Sequence, residues 1–354
     1  MDRNTLLAFF LIAFVLILTP KYLEVFSPQR IKESQTENEN VSKTDNTTEL
    51  QTKKTTSKGI EEDKLRSGED KLETLNSPSV EESLFTIENE LYTLILSSIN
   101  GGTLKSFTFK NYFDQDSQAV NIINAAFPEN LIVQARSSSG SLLNLETSWK
   151  NKGYFNGGFI NHETTVDFFF NITEDAYIKK SLTFFPNSYR ISCSVDASSV
   201  PSGVLSDEIS FGWVGGLSPT ETNIEDDHVY FNAYTYLGGE QENLKVKEGK
   251  PETKTFNGYV DWAAIRTKYF VVAILPEDPT SIRSVALSGT KNTEETYQAI
   301  LNFNTYKESV FELYVGPLEY SRIKNPGRDL ETVMAVSYTR LSVLTSRIFM
   351  FTLV

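Results

Sequence analysis

The distribution of apolar residues divides the chain into four parts. Residues 1–26 contain an uninterrupted apolar run from Leu6 to Leu18, and residues 27–83 are rich in Glu, Asn, Thr, Ser, Lys and Gln. From 84 to 325 apolar and polar residues alternate in short runs, and from 326 to 354 apolar residues recur at helical spacing. The pattern therefore predicts a membrane anchor, a polar tether, a β-rich domain and an amphipathic helix, in that order.

The apolar run at the start is short for a membrane span and closer in length to the apolar region of a signal peptide, so a cleaved signal is the alternative to an anchor. Pro20, Lys21 and Tyr22 follow it, so no small-residue cleavage site is present. We predict an uncleaved anchor with Arg3 on the cytoplasmic side, which places the rest of the chain on the other side. The residues predicted to lie in the bilayer are Leu6, Leu7, Phe9, Phe10, Leu11, Ile12, Phe14, Val15, Leu16, Ile17 and Leu18.

The polar segment 27–83 has few aromatic residues and only scattered aliphatic ones. Such a composition cannot bury enough apolar surface to offset the entropy lost on ordering. We therefore predict a disordered tether between the anchor and the β-rich domain.

The β-rich part opens with a predicted hairpin. Alternating runs at 92–96 and 104–109 flank the turn sequence Asn100-Gly101-Gly102. Many short strands separated by turn residues favour a large two-sheet sandwich over a parallel α/β sheet. Further strands are predicted at 131–135, 166–170, 178–185, 189–195, 208–213, 229–236, 254–259, 263–265, 270–275, 284–287, 296–303 and 309–316.

The last part of the chain changes to a helical period. Two arginines lie on the polar side of this predicted helix, and no acidic residue follows Glu331, which favours a helix lying on a membrane surface. A helix packed on the sandwich is the alternative. The residues assigned to the interfacial helix are Leu330, Val333, Met334, Tyr338, Arg340, Leu341, Leu344, Arg347, Ile348 and Phe351.

Charge and cysteine content narrow the function classes. The 354 residues carry a formal net charge of −13, and no basic stripe is visible in the β-rich part, which argues against nucleic acid as a partner. Cys193 is the only cysteine, so the chain cannot form an internal disulfide. It lies in the alternating run Ile191-Ser192-Cys193-Ser194-Val195, which predicts a small buried strand residue.

A search for catalytic or metal-binding patterns yields none. The two histidines, His162 and His228, lack the spacing to Cys, Asp or His that a zinc site requires. The densest polar cluster, Glu225-Asp226-Asp227-His228, is interpreted as a solvated loop before a strand rather than as an acid–base or metal site. The sequence predicts no cofactor and no catalytic residue.

Several stretches in order along the chain resemble the YidC family of bacterial membrane protein insertases. The resemblance covers the apolar start with its polar tether, the hairpin at 92–107, the stretches 258–265 and 268–276, and the stretch 314–320. The residues that carry the pattern most clearly are Gly101, Gly102, Trp262, Lys268, Tyr269, Phe270, Pro276, Gly316 and Pro317.

This resemblance implies a β-supersandwich, similar to galactose mutarotase, on the periplasmic side of the inner membrane. It implies that the protein inserts and folds inner-membrane proteins, alone or with the Sec translocon and its accessory subunits, and that lipid and nascent membrane proteins are its partners. The family's insertase core is a five-helix bundle downstream, so we expect this chain to supply the anchor and a docking or spacer domain. Arg340 and Arg347 do not match the context of the arginine in that core's groove.

Two other interpretations stay open at this stage. A carbohydrate-binding or sugar-epimerase-like sandwich would need His162 or His228 to converge with carboxylates in one cleft. A purely structural periplasmic tether with a groove for unfolded chains would differ from the insertase mainly in whether deletion of the domain has a phenotype.

Overall fold

The computed structural model describes residues 81–153, 156–221, 223–292, 294–324 and 326–334. Within these ranges nineteen strands form three sheets. The largest sheet has nine strands in the order β13 (Glu240–Leu244), β12 (Asn232–Leu237), β15 (Val260–Arg266), β16 (Phe270–Pro276), β19 (Ser309–Pro317), β10 (Arg190–Asp196), β9 (Tyr177–Phe184), β8 (Thr164–Asn171) and β6 (Lys150–Asn151).

Two five-stranded sheets form the second layer. One has the order β4 (Ala119–Asn121), β3 (Thr103–Phe113), β2 (Tyr92–Ser97), β1 (Leu84–Glu88) and β7 (Gly158–Phe159). The other has the order β14 (Glu252–Asn257), β17 (Ile282–Lys291), β18 (Glu295–Asn304), β11 (Leu205–Trp213) and β5 (Ile132–Ser137). The strand pairs are antiparallel except β1 with β7. The predicted mainly β sandwich is confirmed.

Large side chains fill the space between the layers. Phe109 of β3 stacks on Phe270 of β16 with ring centroids 4.7 Å apart, and Phe85 of β1 meets Phe168 of β8 edge-on at 6.0 Å. Phe211 of β11 packs on Phe311 of β19 at 4.9 Å, so both five-stranded sheets bury aromatic rings against the nine-stranded sheet. Aromatic burial of this kind is the main stabilising contribution in such a core.

The strand predictions hold where alternation is strong. Each predicted strand has a counterpart within a few residues, except that residues 229–231 lie before β12 rather than in it. The structure adds edge strands that the pattern did not indicate, among them β13, whose sequence Glu-Gln-Glu-Asn-Leu has no apolar alternation. Two short α-helices, α1 (Ile224–His228) and α2 (Tyr320–Ile323), and two 3₁₀ helices at Pro279–Ser281 and Leu330–Met334 complete the described residues.

A buried lysine side chain forms hydrogen bonds that stabilise the turn between β2 and β3. Lys180 of β9 is fully buried, and its ammonium donates hydrogen bonds to the carbonyl oxygens of Asn100, at 3.1 Å, and of Leu131. Burial lowers the pKa of Lys180 to about 8. Cys193 is buried in β10, as the alternation predicts, and burial raises the pKa of its thiol to about 12.

Replacing this lysine is expected to change how stability depends on pH. Lys180 titrates near pH 10.5 when unfolded and near pH 8 when folded, so between these values the unfolded chain binds more protons. The contribution of Lys180 to the free energy of unfolding should therefore rise by ~3 kcal/mol over this interval, whereas the raised pKa of Cys193 acts in the opposite direction above pH 9 in every variant. Lys180→Met should lack that rise in urea unfolding curves. Lys179→Met, which removes the half-buried neighbour, should keep it; parallel pH profiles for all three proteins would contradict the prediction.

Candidate binding cleft

A cleft of about 500 Å³ at one end of the sandwich combines apolar and ionisable groups. It lies where the end of β3, the turn between β15 and β16, the end of β19 and the loop before α1 meet. Its lining residues are Tyr112, Phe113, Asp114, Gln115, Val120, Thr220, Glu221, Lys268, Tyr269, Phe270, Pro317, Leu318 and Glu319.

An aromatic floor supports the cleft. Phe270 is buried, stacks on Phe109, and receives Tyr112 edge-on at 5.6 Å. The turn that presents Phe270 is closed by the Thr267 amide, which donates to the Phe270 carbonyl at 2.8 Å. These contacts fix the position of Phe270 at the floor of the cleft.

One wall carries the carboxylate of Glu221. It accepts hydrogen bonds from Lys268 Nζ at 2.6 Å and from the Tyr269 hydroxyl at 2.5 Å. The hydrogen bond from Lys268 lowers the pKa of Glu221 most, and the bond from Tyr269 lowers it further, so Glu221 is ionised at neutral pH. The same pairing raises the pKa of Lys268.

Glu221 is held in place by a residue that the sequence analysis assigned to a solvated loop. Asp227 lies in α1, is buried, and accepts the backbone amides of Thr220 at 2.5 Å and Glu221 at 3.0 Å. The solvated-loop interpretation is therefore wrong for Asp227, because its carboxylate satisfies two amides of the preceding loop. The neighbouring Glu225 and Asp226 are exposed, as that interpretation expected.

A second carboxylate, that of Glu319, also lines the cleft. It accepts a hydrogen bond from the Tyr112 hydroxyl and another from Arg322 Nε at 2.7 Å. The hydrogen bond from Tyr112 lowers the pKa of Glu319 most, and the hydrogen bond from Arg322 lowers it further. Both carboxylates are thus ionised and engaged, so the cleft offers apolar and hydrogen-bonding contacts rather than a poised acid and base.

The family-pattern residues separate into two groups in the structure. Four of them come together in the cleft, namely Lys268, Tyr269, Phe270 and Pro317. The others shape the backbone or the core away from the cleft, namely Gly101, Gly102, Trp262, Pro276 and Gly316.

Sequence reasoning missed three residues of this site. Tyr112 and Glu221 lie more than forty residues from the pattern around Lys268, and only the fold brings them together. Glu319 belongs to the stretch 314–320 that carried the resemblance, so its position was signalled although its role was not.

The predicted interfacial helix is described only at its start. Leu330 and Val333 are buried against the sandwich, and Met334 is half-buried. Tyr338, Arg340, Leu341, Leu344, Arg347, Ile348 and Phe351 lie outside the described residues, as do the predicted anchor residues between Leu6 and Leu18 and the predicted tether. The anchor, the tether and the interfacial position of the helix stay predictions. Among the helices that are described, none has the length and apolar character needed to cross a bilayer.

The two histidines do not meet in the cleft. His162 lies in the exposed turn before β8, where its ring Nδ1 is 2.6 Å from the Asn161 side-chain oxygen. His228 ends α1, with Nδ1 3.6 Å from the carboxylate of Glu295. Over the described ranges, His, Cys, Asp and Glu side chains form no group able to hold a metal ion.

Comparison with known proteins confirms the resemblance to the YidC family. The family model of the YidC periplasmic domain matches residues 84–351. A protein of Chlorobaculum tepidum named membrane protein insertase YidC is 28% identical over 94% of this chain and 57% of its own length. One of the same name from Chlorobium luteolum is 30% identical over 72% of this chain and 45% of its own length.

The chain thus spans about half the length of these relatives. Among solved structures, a putative aldose 1-epimerase from Escherichia coli is similar with a TM-score of 0.41 and 10% identity, covering 67% of this chain and 100% of that one. Because the family model of the YidC periplasmic domain matches residues 84–351, the chain belongs to the YidC family and carries that family's periplasmic domain.

Proposed function

We propose that this chain is the N-terminal part of a membrane protein insertase, which helps to insert and fold integral inner-membrane proteins. The observation that carries the proposal is the match of the YidC periplasmic domain along residues 84–351. The relatives that share this region are named membrane protein insertases. In this proposal the chain supplies a membrane anchor and a docking or spacer domain, and the insertion groove belongs to the part of the relatives that this chain does not span.

The proposal extends to location and partners. The N-terminus lies in the cytoplasm, the anchor at 1–26 crosses the bacterial inner membrane, and the sandwich lies in the periplasm. Lipid and nascent membrane proteins are the direct partners, and the Sec translocon with its accessory subunits is a further one. The net charge of −13 supports the exclusion of nucleic acid.

A non-enzymatic role fits the chemistry of the cleft. Of its three carboxylates, Glu221 and Glu319 are each held by a tyrosine and a cation. Neither His162 nor His228 is among the cleft's lining residues, which removes the convergence that a sugar-epimerase-like function would need. We propose on this basis that the chain is not an enzyme.

Depletion tests the proposed function. When the gene that encodes this chain is depleted in its bacterium, a small inner-membrane protein should remain uninserted and accessible to protease on the cytoplasmic side. Expression of the intact gene from a second promoter should restore insertion, which serves as the control. Normal insertion throughout depletion would refute the insertase assignment.

A further inference from the structure

Three aromatic side chains project into solvent at the rim of the cleft. Phe113 is 61% exposed, Tyr269 is 46% exposed and Tyr320 is 55% exposed. The first two line the cleft, and Tyr320 directly follows the lining residue Glu319. We call these three residues the aromatic rim. Large rings exposed together are uncommon on a protein surface that meets only water.

Cations accompany the tyrosines of the aromatic rim. Lys268 Nζ lies 5.0 Å from the Tyr269 ring centre, and Lys324 Nζ lies 5.4 Å from the Tyr320 ring centre. Of the three acidic residues that line the cleft, Glu221 is paired with Lys268 and Glu319 with Arg322. On a chain with a net charge of −13, these pairings and the exposed Lys324 reduce the repulsion that an anionic membrane would exert on this surface.

The aromatic rim also lies close to the point where the described chain ends. Arg266, which begins the turn that carries Tyr269, donates from Nη1 to the Val333 carbonyl at 2.7 Å. Helix α2, which begins at Tyr320, contacts the 3₁₀ helix Leu330–Met334. The sequence after Met334 is the one predicted to lie on a membrane surface.

From these placements we propose that the aromatic rim rests on the phospholipid surface, so that the cleft opens toward the bilayer. Aromatic rings with an adjacent polar or cationic group favour the headgroup level of a bilayer. The exposed Lys324 extends its apolar stem beside Tyr320 and can place its ammonium group near a lipid phosphate, whereas the Lys268 ammonium is paired with Glu221. The inference rests on the proposed function, because that function places the domain beside a membrane.

Quenching of tryptophan fluorescence by brominated lipid tests this contact on the full chain. The chain is reconstituted into vesicles of phosphatidylethanolamine and phosphatidylglycerol, with and without bromine on the upper part of the acyl chains. The native Trp149, Trp213 and Trp262 are buried and give a constant background. Phe113→Trp and Tyr320→Trp should each add emission that the brominated lipid reduces at least about twofold.

Tyr259→Trp is the matched control. Tyr259 is 66% exposed and precedes β15, whereas the cleft turn follows β15, so the two sites are separated by a strand of about 20 Å. Its added emission should not change with bromination. Unfolding transitions that match the wild type establish that the exposed substitutions leave the fold intact.

Equal behaviour of the rim and control indoles would overturn the proposal. It would also be overturned if the rim indoles were unaffected by brominated lipid and became shielded only when a nascent polypeptide was added, because the cleft would then be a peptide site. The vesicle measurement involves no insertion reaction. If brominated lipid quenches the rim indoles but insertion stays normal after depletion, only the proposed function is refuted. If insertion fails after depletion but the rim indoles are not quenched, only the membrane contact is refuted.

Discussion

Gly102→Ala is expected to lower the free energy of unfolding by ~3 kcal/mol or more. Gly102 has φ +111°, in a region that other residues rarely adopt, and a Cβ atom there would lie 2.4 Å from Leu182 Cδ1. The backbone strain and the overpacking each cost about 1–3 kcal/mol. Because Lys180 holds the carbonyl of Asn100 in the same turn, the turn cannot shift away without losing that hydrogen bond.

Gly140→Ala separates the two contributions. Gly140 has φ +91°, but a Cβ atom there meets no atom within 4 Å, so only the backbone strain of about 1–2 kcal/mol should appear. Urea unfolding of both variants, followed by circular dichroism, measures the difference. Equal losses for the two glycines would show that the contact with Leu182 contributes nothing.

Trp262→Ala should lower the free energy of unfolding by ~4 kcal/mol, in the range for removal of a large buried ring. Trp262 is fully buried, stacks on Tyr236 with ring centroids 5.7 Å apart, and donates from Nε1 to the Arg328 carbonyl at 3.0 Å. The substitution therefore opens a cavity in β15 and releases a bond to the C-terminal segment. Thermal unfolding measures the global loss.

Trp262→Phe distinguishes the ring from the hydrogen bond. It keeps most of the packing and loses the bond to Arg328, so the global loss should be smaller, and amide hydrogen exchange should rise mainly in residues 326–334. The amides of Leu330 and Thr332, which donate to Gly327 and Asp329, are the reporters. Unchanged exchange at both amides would contradict a role for Trp262 in holding this segment.

Alternation was enough to predict most of the sandwich, because strands with one buried face place apolar residues at every second position. It failed for β13, a polar edge strand, since an edge strand needs backbone pairing more than an apolar face. Alternation also could not reveal the role of Lys180. The period places this residue on the inner face of its strand, but the carbonyl groups that it binds belong to turns at residues 100 and 131.

The cleft was only partly predictable for a related reason. Lys268 and Tyr269 were found because they lie in one continuous recognisable stretch. Glu221 comes from a loop that local sequence cannot place, and its position depends on the buried Asp227. Contacts between distant segments follow from the fold, not from local sequence.

The binding of residues 326–334 to the sandwich has a mechanical consequence. Trp262 and Arg266 of β15 hold the carbonyls of Arg328 and Val333, and Arg328 itself donates to the Glu277 carbonyl at 2.9 Å. Tension applied to the chain at Met334 is therefore delivered to β15, which has hydrogen-bonded strands on both sides. The load therefore enters the nine-stranded sheet at an interior strand, the third from one edge, and the aromatic rim would turn together with the pulled end.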